Sequence, residues 1–185
     1  EFLSDVHFSK PFKTLAKTYA DLTFKMDYGP YYDLGDLIKA GQTQFESILK
    51  NGDALMPIKV AVEGECSAFY YALYANDLSD TETYPDEIFY AGLEGGGKSY
   101  SSTNLIVKYD TPMTLVAVAY DYDNNATQLY RDVLFFTQDG ASPAKDFIAS
   151  MKKSASTMSV NLNVASPEVM MPVKKYDEKR SMIVD

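Results

Sequence analysis

Three oxygen-bearing residues in one polar stretch have the spacing of a calcium-binding loop. Asp121, Asp123 and Asn125 alternate along the chain, and an acidic residue falls at the twelfth position of such a loop. Calcium loops of this kind need a glycine at the sixth position, where the chain turns sharply, and a helix afterwards. Here the sixth position is Ala126, and residues 129–137 read as a strand. The alternative to a metal site is a polar turn between two strands, held by Asx hydrogen bonds.

A second motif matches the phosphate-binding loop. Residues 92–99 read GLEGGGKS, which fits the pattern G-x-x-x-x-G-K-S. That loop binds phosphate only when a strand precedes it and a helix follows, because backbone N–H groups and the helix dipole must converge on the anion. The sequence here predicts a short helix before the glycines and a strand-like stretch after them. We therefore interpret the segment as a flexible glycine-rich connection, and we expect no cofactor.

Other groups that could carry catalysis are isolated in the sequence. His7 is the only histidine and Cys66 the only cysteine, and no nucleophile-elbow motif accompanies either residue. A single cysteine also excludes an internal disulfide and a cysteine-cluster metal site. Carboxylate pairs such as Asp80 with Glu82 resemble solvated surface charges in so acidic a chain. The sequence therefore assigns no catalytic residue and predicts a protein that is not an enzyme.

Tyrosines are the better candidates for ligand binding. Tyr28, Tyr31 and Tyr32 surround a Gly-Pro turn at residues 29–30. Aromatic rings stack on sugar faces and give a large contact area at low entropic cost. We expect these three side chains to be exposed on a loop and to contact a ligand. The alternative is that they fill the edges of a core.

The elements that would position these residues are mostly strands. Apolar residues alternate with polar residues in several runs, which is the pattern of half-buried strands. These runs are residues 22–26, 57–63, 67–75, 104–109, 113–122, 129–137 and 158–164. Residues 57–63 and 67–75 flank a short Gly-containing turn, so we expect these two strands to pair as an antiparallel hairpin.

Two accessory helices are predicted. Apolar residues at helical spacing indicate a longer helix over residues 33–50, with Asp33 as its cap and Asn51-Gly52 as its stop. A shorter helix is predicted over residues 86–93, before the glycines. A further helical turn is expected after Ser142-Pro143.

Composition narrows the classes of partner. The 185 residues are 46% hydrophobic and include 15 Tyr and 10 Phe, so the chain can bury a sizeable core. A net charge of −9 argues against nucleic acid and anionic lipid as partners, because both require surplus Lys and Arg. No stretch approaches the ~20 apolar residues of a membrane helix, so no transmembrane segment is expected in this chain.

Part of the sequence resembles the immunoglobulin-like or fibronectin type III-like modules of Bacteroidetes surface lipoproteins. The resembling segments cover under half of the chain, in the expected order of strand, aromatic strand, small helix and closing strands. They are SAFYYALY at 67–74, PDEIF at 85–89, TLVAVAY with the turn DYDN at 114–124, and FFT at 135–137. The resemblance implies a bacterial cell-surface or periplasmic location, with any lipid anchor outside this chain. It transfers no catalytic residues.

These observations predict a mainly β protein, an immunoglobulin-like β-sandwich with one longer and one short accessory helix. Residues 55–140 would form the sandwich core, residues 1–54 would pack on it, and residues 141–185 would be a strand-containing extension. The alternative for residues 141–185 is that they are part of a second sandwich. The predicted function is an exported, non-catalytic surface module that binds a glycan or protein or acts as a spacer. The alternative is an accessory domain of a carbohydrate-processing enzyme or uptake system.

Overall fold

The computed structural model describes residues 18–155, 164–165 and 168–169. Within this part of the chain the backbone forms nine strands and three α-helices. In chain order they are β1 (Thr23–Tyr28), β2 (Tyr32–Asp33), α1 (Leu34–Lys39), β3 (Ala54–Glu63), β4 (Cys66–Ala75), α2 (Glu87–Gly96), β5 (Ser102–Val107), β6 (Met113–Asp121), β7 (Tyr130–Leu134), α3 (Ala144–Ala155), β8 (Val164–Ala165) and β9 (Glu168–Val169). The protein is therefore mainly β, as the alternating pattern predicts.

The strands form two mainly antiparallel sheets. The first sheet has the order β1-β3-β5-β8, and β2 also pairs with β3. The second sheet has the order β7-β6-β4-β9. The short strands β8 and β9 pair in parallel, with β5 and β4 respectively.

The two sheets share one apolar core, and β6 lies at its centre. Every residue of β6 from Met113 to Tyr120 is buried. Side chains that alternate along a strand point to opposite faces. Met113, Leu115 and Ala117 belong to the core cluster that also contains residues of β3 and β5 in the first sheet. Val116 and Val118 face the other way and pack with α2.

The predicted pairing of residues 57–63 with 67–75 is wrong. These segments lie in β3 and β4, which belong to different sheets. The chain changes sheet at residues 64–65, where Gly64 has a φ of +105°. Ile58 and Tyr71 then lie in the same core cluster, facing each other from opposite sheets. The alternating pattern is the same whether two strands lie side by side or face to face, so it does not distinguish the two arrangements.

The predicted helix over residues 33–50 is much shorter in the structure. Its cap is confirmed, since the Asp33 carboxylate accepts a hydrogen bond of 2.9 Å from the Asp36 N–H. The helix ends at Lys39 because Gly41 takes a φ of +91° and closes the last turn. There the N–H of Gly41 donates to Ile38, and the next N–H donates to Leu37, which is the Schellman arrangement. Two single 3-10 turns complete the segment.

The other helices also differ in extent from the prediction. The short helix continues to Gly96, so Gly95 and Gly96 are helical, and Gly97 is the extended residue that follows the helix. The helical turn expected after Pro143 is the twelve-residue helix α3. Phe147 of this helix is buried against Tyr32 and Phe45. The chain therefore carries three short helices within its described part, one more than predicted.

The segments that flank the central strands contribute to both sheets. Strands β1 and β2 both pair with β3, whereas β8 and β9 add to β5 and β4. Most of the strand predicted over residues 158–164 lies outside the described residues, as does His7. No helix in the described ranges is long and apolar enough to cross a membrane.

One buried arginine fastens α2 to the second sheet. Arg131 of β7 donates to the carbonyl oxygens of Leu78 at 2.5 Å and Tyr84 at 2.7 Å. It also pairs with the Asp86 carboxylate at 2.5 Å, and its guanidinium lies 5.0 Å from the centre of the Phe89 ring. The Arg131 side chain is only 9% exposed. The single guanidinium group of Arg131 therefore binds both the loop before α2 and the start of the helix.

We expect Arg131→Met to lower the free energy of unfolding by about 3 kcal/mol, because Asp86 and two carbonyl groups would lose a buried partner. The control is Lys25→Met, which removes the exposed ion pair between Lys25 and Glu63 and should cost less than about 1 kcal/mol. Urea unfolding of both variants measures the difference. Equal losses for the two variants would contradict the role given to Arg131.

Two glycines should respond in opposite ways to alanine. Gly41→Ala forces a side chain into the left-handed region and should cost about 1 kcal/mol. Gly92 lies within α2, and a methyl group there would meet nothing within 4 Å. Gly92→Ala should therefore stabilise the protein by up to about 1 kcal/mol through higher helix propensity. Urea unfolding tests the signs, and a stabilising Gly41→Ala would contradict the helix end described above.

Candidate functional site

Two adjoining cavities open where β4 begins and β6 ends. The first has a volume of about 410 Å³ and the second about 270 Å³. The first is lined by Val62, Cys66, Ser67, Ala68, Phe69, Tyr70 and Ser99. The second is lined by Ser67, Ala68, Tyr70, Glu94, Tyr120 and Asn124. Because Ser67, Ala68 and Tyr70 line both, we treat them as one depression and call it the β4 groove.

The groove begins at an irregularity in the β4–β6 pairing. The register shifts between Cys66 and Ala68, so Ser67 stands out of the regular ladder. Its hydroxyl donates to the carbonyl oxygens of Tyr120 at 3.0 Å and Asp121 at 2.7 Å. Bulges of this kind redirect a side chain at the end of a strand. The bulge and these hydrogen bonds therefore fix the hydroxyl group of Ser67 where it lines the groove.

Tyr120 and Glu94 form the polar wall of the second cavity. Tyr120 is 8% exposed, and its hydroxyl donates to the Glu94 carboxylate on α2. The Tyr120 ring also meets the Tyr70 ring edge-on, with 6.3 Å between their centres. Burial, with the hydrogen bond to Glu94 second, raises the pKa of the Tyr120 hydroxyl. The hydroxyl therefore stays protonated and holds Glu94 in one position.

The glycine-rich end of α2 allows the chain to pass close to Tyr70. A Cβ atom at Gly97 would meet the Tyr70 Cβ at 3.1 Å. Lys98 then exchanges two backbone hydrogen bonds with Tyr71, at 2.7 and 2.8 Å. The segment that matched a phosphate loop thus forms a helix end and an isolated β-bridge. It does not form the strand–loop–helix geometry that phosphate binding needs.

Cys66 lines the first cavity as a thiol. Burial raises its pKa, and the thiol donates a hydrogen bond of 3.3 Å to the Ala68 carbonyl. A reactive cysteine needs a lowered pKa and a thiolate. The local environment of Cys66 therefore favours packing over nucleophilic chemistry.

The residues with calcium-loop spacing form an Asx turn. One carboxylate oxygen of Asp121 accepts from the N–H groups of Asp123 and Asn125, at 3.0 and 2.8 Å, and the other accepts from the Asn125 side chain. The Asn125 side-chain hydrogen bond is the largest cause of a lowered pKa at Asp121. Asp132, at the twelfth position, lies in β7 and binds the Tyr28 hydroxyl. Over the described ranges no three His, Cys, Asp or Glu residues come together to hold a metal. Calcium binding here stays a prediction, and this geometry does not favour it.

The tyrosines predicted to bind a ligand are used inside the fold. Tyr32 is 5% exposed and packs on Phe147, so its expected exposure is wrong. Tyr31 packs edge-on against Phe136 and donates to the Thr137 carbonyl at 2.9 Å. Tyr28 donates to a carboxylate on β7. Tyr32 is buried because β2 joins the first sheet directly after the Gly-Pro turn. Ligand contact by these residues remains untested, but the structure gives them structural roles.

Other aromatic residues are exposed near the groove. Tyr122 is 76% exposed, two positions before Asn124. Tyr100 is 46% exposed and directly follows Ser99. The sequence pattern offered a signal for Tyr122, which stands in a polar turn. The sequence pattern offered no signal for the hydrogen bond between Tyr120 and Glu94, because these residues belong to β6 and α2, which are separated in the chain by β5.

Comparisons of the chain with protein-family models, with curated proteins and with solved structures find no match. The resemblance to immunoglobulin-like lipoprotein modules therefore stays a prediction.

We expect Tyr32→Ala to destabilise the protein by about 3 to 5 kcal/mol, because it removes a ring from a buried cluster. Tyr122→Ala should change stability by less than about 0.5 kcal/mol, since its ring is in solvent. Urea unfolding of the two variants is the measurement. A Tyr32→Ala variant of unchanged stability would restore that residue as a candidate for ligand contact.

Proposed function

We propose that this chain is a non-catalytic binding module that holds its ligand, a glycan or a protein, in the β4 groove. The observation that carries the proposal is a concave surface in which polar groups and an aromatic ring converge, namely Ser67, Tyr70, Glu94, Tyr120 and Asn124. Sites for small ligands combine apolar or aromatic walls with a few polar groups held in fixed positions. The bulge at Ser67 and the hydrogen bond from Tyr120 to Glu94 supply that rigidity.

We further propose an immunoglobulin-like β-sandwich as the architecture of the module. Two mainly antiparallel sheets with a common core support this proposal. The crossing from β3 to β4, which places consecutive strands in opposite sheets, is also typical of sandwiches. The parallel pairings of β8 and β9 are elaborations on that plan.

The absence of catalysis is part of the same proposal, and the chemistry of the groove supports it. Glycoside hydrolysis requires two carboxyl groups across the scissile bond. Among the residues that line the two cavities, Glu94 is the one carboxylate, and Cys66 is a thiol of raised pKa. Export to a bacterial surface or the periplasm follows from the resemblance noted in the sequence. The net charge of −9 supports a partner other than nucleic acid.

Two exposed turn residues give a matched test of the groove. Asn124 and Asp110 both have positive φ, at 63° and 52°, so glycine suits both positions. Only Asn124 lines the groove. We expect Asn124→Gly to weaken binding of any ligand found on glycan and protein arrays by up to about tenfold, the worth of one hydrogen bond. Asp110→Gly should leave binding unchanged.

Amide NMR spectra locate the ligand independently of the variants. Ligand addition should shift the amides of Ser67, Tyr120 and Asn124 and leave those of the Tyr31 turn in place. Shifts confined to other surfaces, or equal effects of the two glycine variants, would refute the groove as the binding site. A chain that binds nothing on either array would support a spacer.

A further inference from the structure

The hydrogen-bonding capacity of the groove favours a ligand rich in donors. Ser67 has one hydroxyl proton, and it points to the carbonyl oxygens of Tyr120 and Asp121. Tyr120 likewise directs its only hydroxyl proton to Glu94. A hydroxyl whose proton is used internally can offer a ligand only its lone pairs. The hydroxyl oxygens of Ser67 and Tyr120 are therefore acceptors toward a ligand, whereas the third hydroxyl among the residues that line the second cavity, that of Tyr70, can donate as well as accept.

The remaining polar groups of the second cavity complete this pattern. Glu94 is exposed, and its carboxylate can only accept hydrogen bonds. Asn124 also lines this cavity, and its amide side chain adds a donor as well as an acceptor. The cavity thus presents a majority of acceptors together with donors. Groups that both donate and accept satisfy such a set, and sugar hydroxyls do both.

The negative charge in and around the groove favours neutral sugars over anionic sugars as ligands. Glu94 stands in the wall, Asp121 and Asp123 lie in the adjoining turn, and the chain carries a net charge of −9. A carboxylate or sulfate on a sugar would meet like charge, which costs affinity. A basic side chain of a protein would satisfy the acceptors but would leave the Asn124 NH₂ group without an acceptor. A neutral sugar satisfies both.

The apolar part of the cavity suits the carbon face of a sugar ring. Tyr70 and Ala68 line both cavities, so they lie where the two volumes meet. Tyrosine offers a flat surface with little side-chain entropy to lose. Tyr70 is further fixed by its contact with the Tyr120 ring. A ring with polar hydroxyls on its rim and C–H groups on its face matches this combination.

We infer that the β4 groove recognises a neutral saccharide, with the hydroxyl groups of one sugar unit held by Glu94, Asn124 and Ser67 beside the Tyr70 ring. This inference rests on the proposed function and names its ligand class. Glu94 acts as the principal acceptor, and Tyr120 is a positioning residue that orients it.

A matched pair of acidic residues on α2 tests the role of Glu94. Glu94→Gln keeps the shape and an acceptor for Tyr120 but removes the charge. Hydrogen bonds to charged groups are the stronger ones, so affinity for a neutral oligosaccharide should fall about ten- to hundredfold. The control is Glu87→Gln, an exposed residue in the first turn of the same helix that lines neither cavity. Calorimetric titration with the neutral oligosaccharides that bind on an array measures both variants.

Two further readouts distinguish the outcomes. Affinity for a neutral sugar should be nearly unchanged from low salt to roughly 0.5 M salt, whereas screening would weaken the binding of a basic ligand and strengthen that of an acidic one. Tyr120→Phe should weaken binding less than Glu94→Gln while leaving the fold intact, because the acceptor remains but loses its orienting partner.

A groove that binds only sulfated glycans, sialylated glycans or lysine-rich peptides would overturn the neutral-sugar inference and leave the proposed binding function standing. Equal losses for Glu94→Gln and Glu87→Gln would overturn the role given to Glu94 and, with it, the neutral-sugar inference. Neutral sugars that bind without shifting the amides of Ser67 and Asn124 would overturn both the inference and the proposed function. So would a chain for which no glycan or peptide shifts those amides.

Discussion

The burial of β6 on both faces is the constraint on which the rest of the structure depends. A strand that is apolar on both faces must be shielded from water on both, and in this chain a different element shields each face of β6. The first sheet packs on the face that carries Met113, Leu115 and Ala117, whereas α2 covers the face that carries Val116 and Val118. The hydrogen bonds from Arg131 to the segment before α2 hold this helix against the second sheet. Loss of these hydrogen bonds would expose an apolar face of the second sheet. The Arg131 guanidinium therefore stabilises the packing of α2 as well as its own ion pair.

The groove follows from a mismatch in length between β6 and its helical cover. A nine-residue strand spans about 30 Å, whereas a ten-residue helix spans about 15 Å. The helix therefore cannot cover the whole outer face, and it ends beside Tyr70 and Tyr120, at the close of β6. Polar groups are tolerated there because water reaches them. The candidate site thus lies where α2 ends on the outer face of the second sheet, and Glu94 in the last turns of this helix lines it.

Local patterns predicted the strands well and their partners poorly. Alternation along residues 57–63, 67–75 and 113–122 depends on neighbours in sequence, and strands stand at each place. The sheet to which a strand belongs depends on long-range packing, so the face-to-face arrangement of β3 and β4 was missed. Gly41 was visible in the sequence, but its left-handed conformation was not. The contact between Glu94 and Tyr120 joins two elements that are separate in the sequence, so no local sequence pattern predicts it.

Tyrosine hydroxyls hold several carboxylates of this acidic chain in place. Tyr28 donates to Asp132, Tyr109 to Asp33, and Tyr120 to Glu94, and each pair joins segments that are distant in sequence. Burial is the first cause of a raised pKa at all three hydroxyls, so each stays a neutral donor. A neutral donor fixes a carboxylate without cancelling its charge, whereas a lysine or arginine would neutralise it. Glu94 therefore keeps the negative charge of a strong acceptor while it is held in one orientation, which is the combination that a hydroxyl-rich ligand requires.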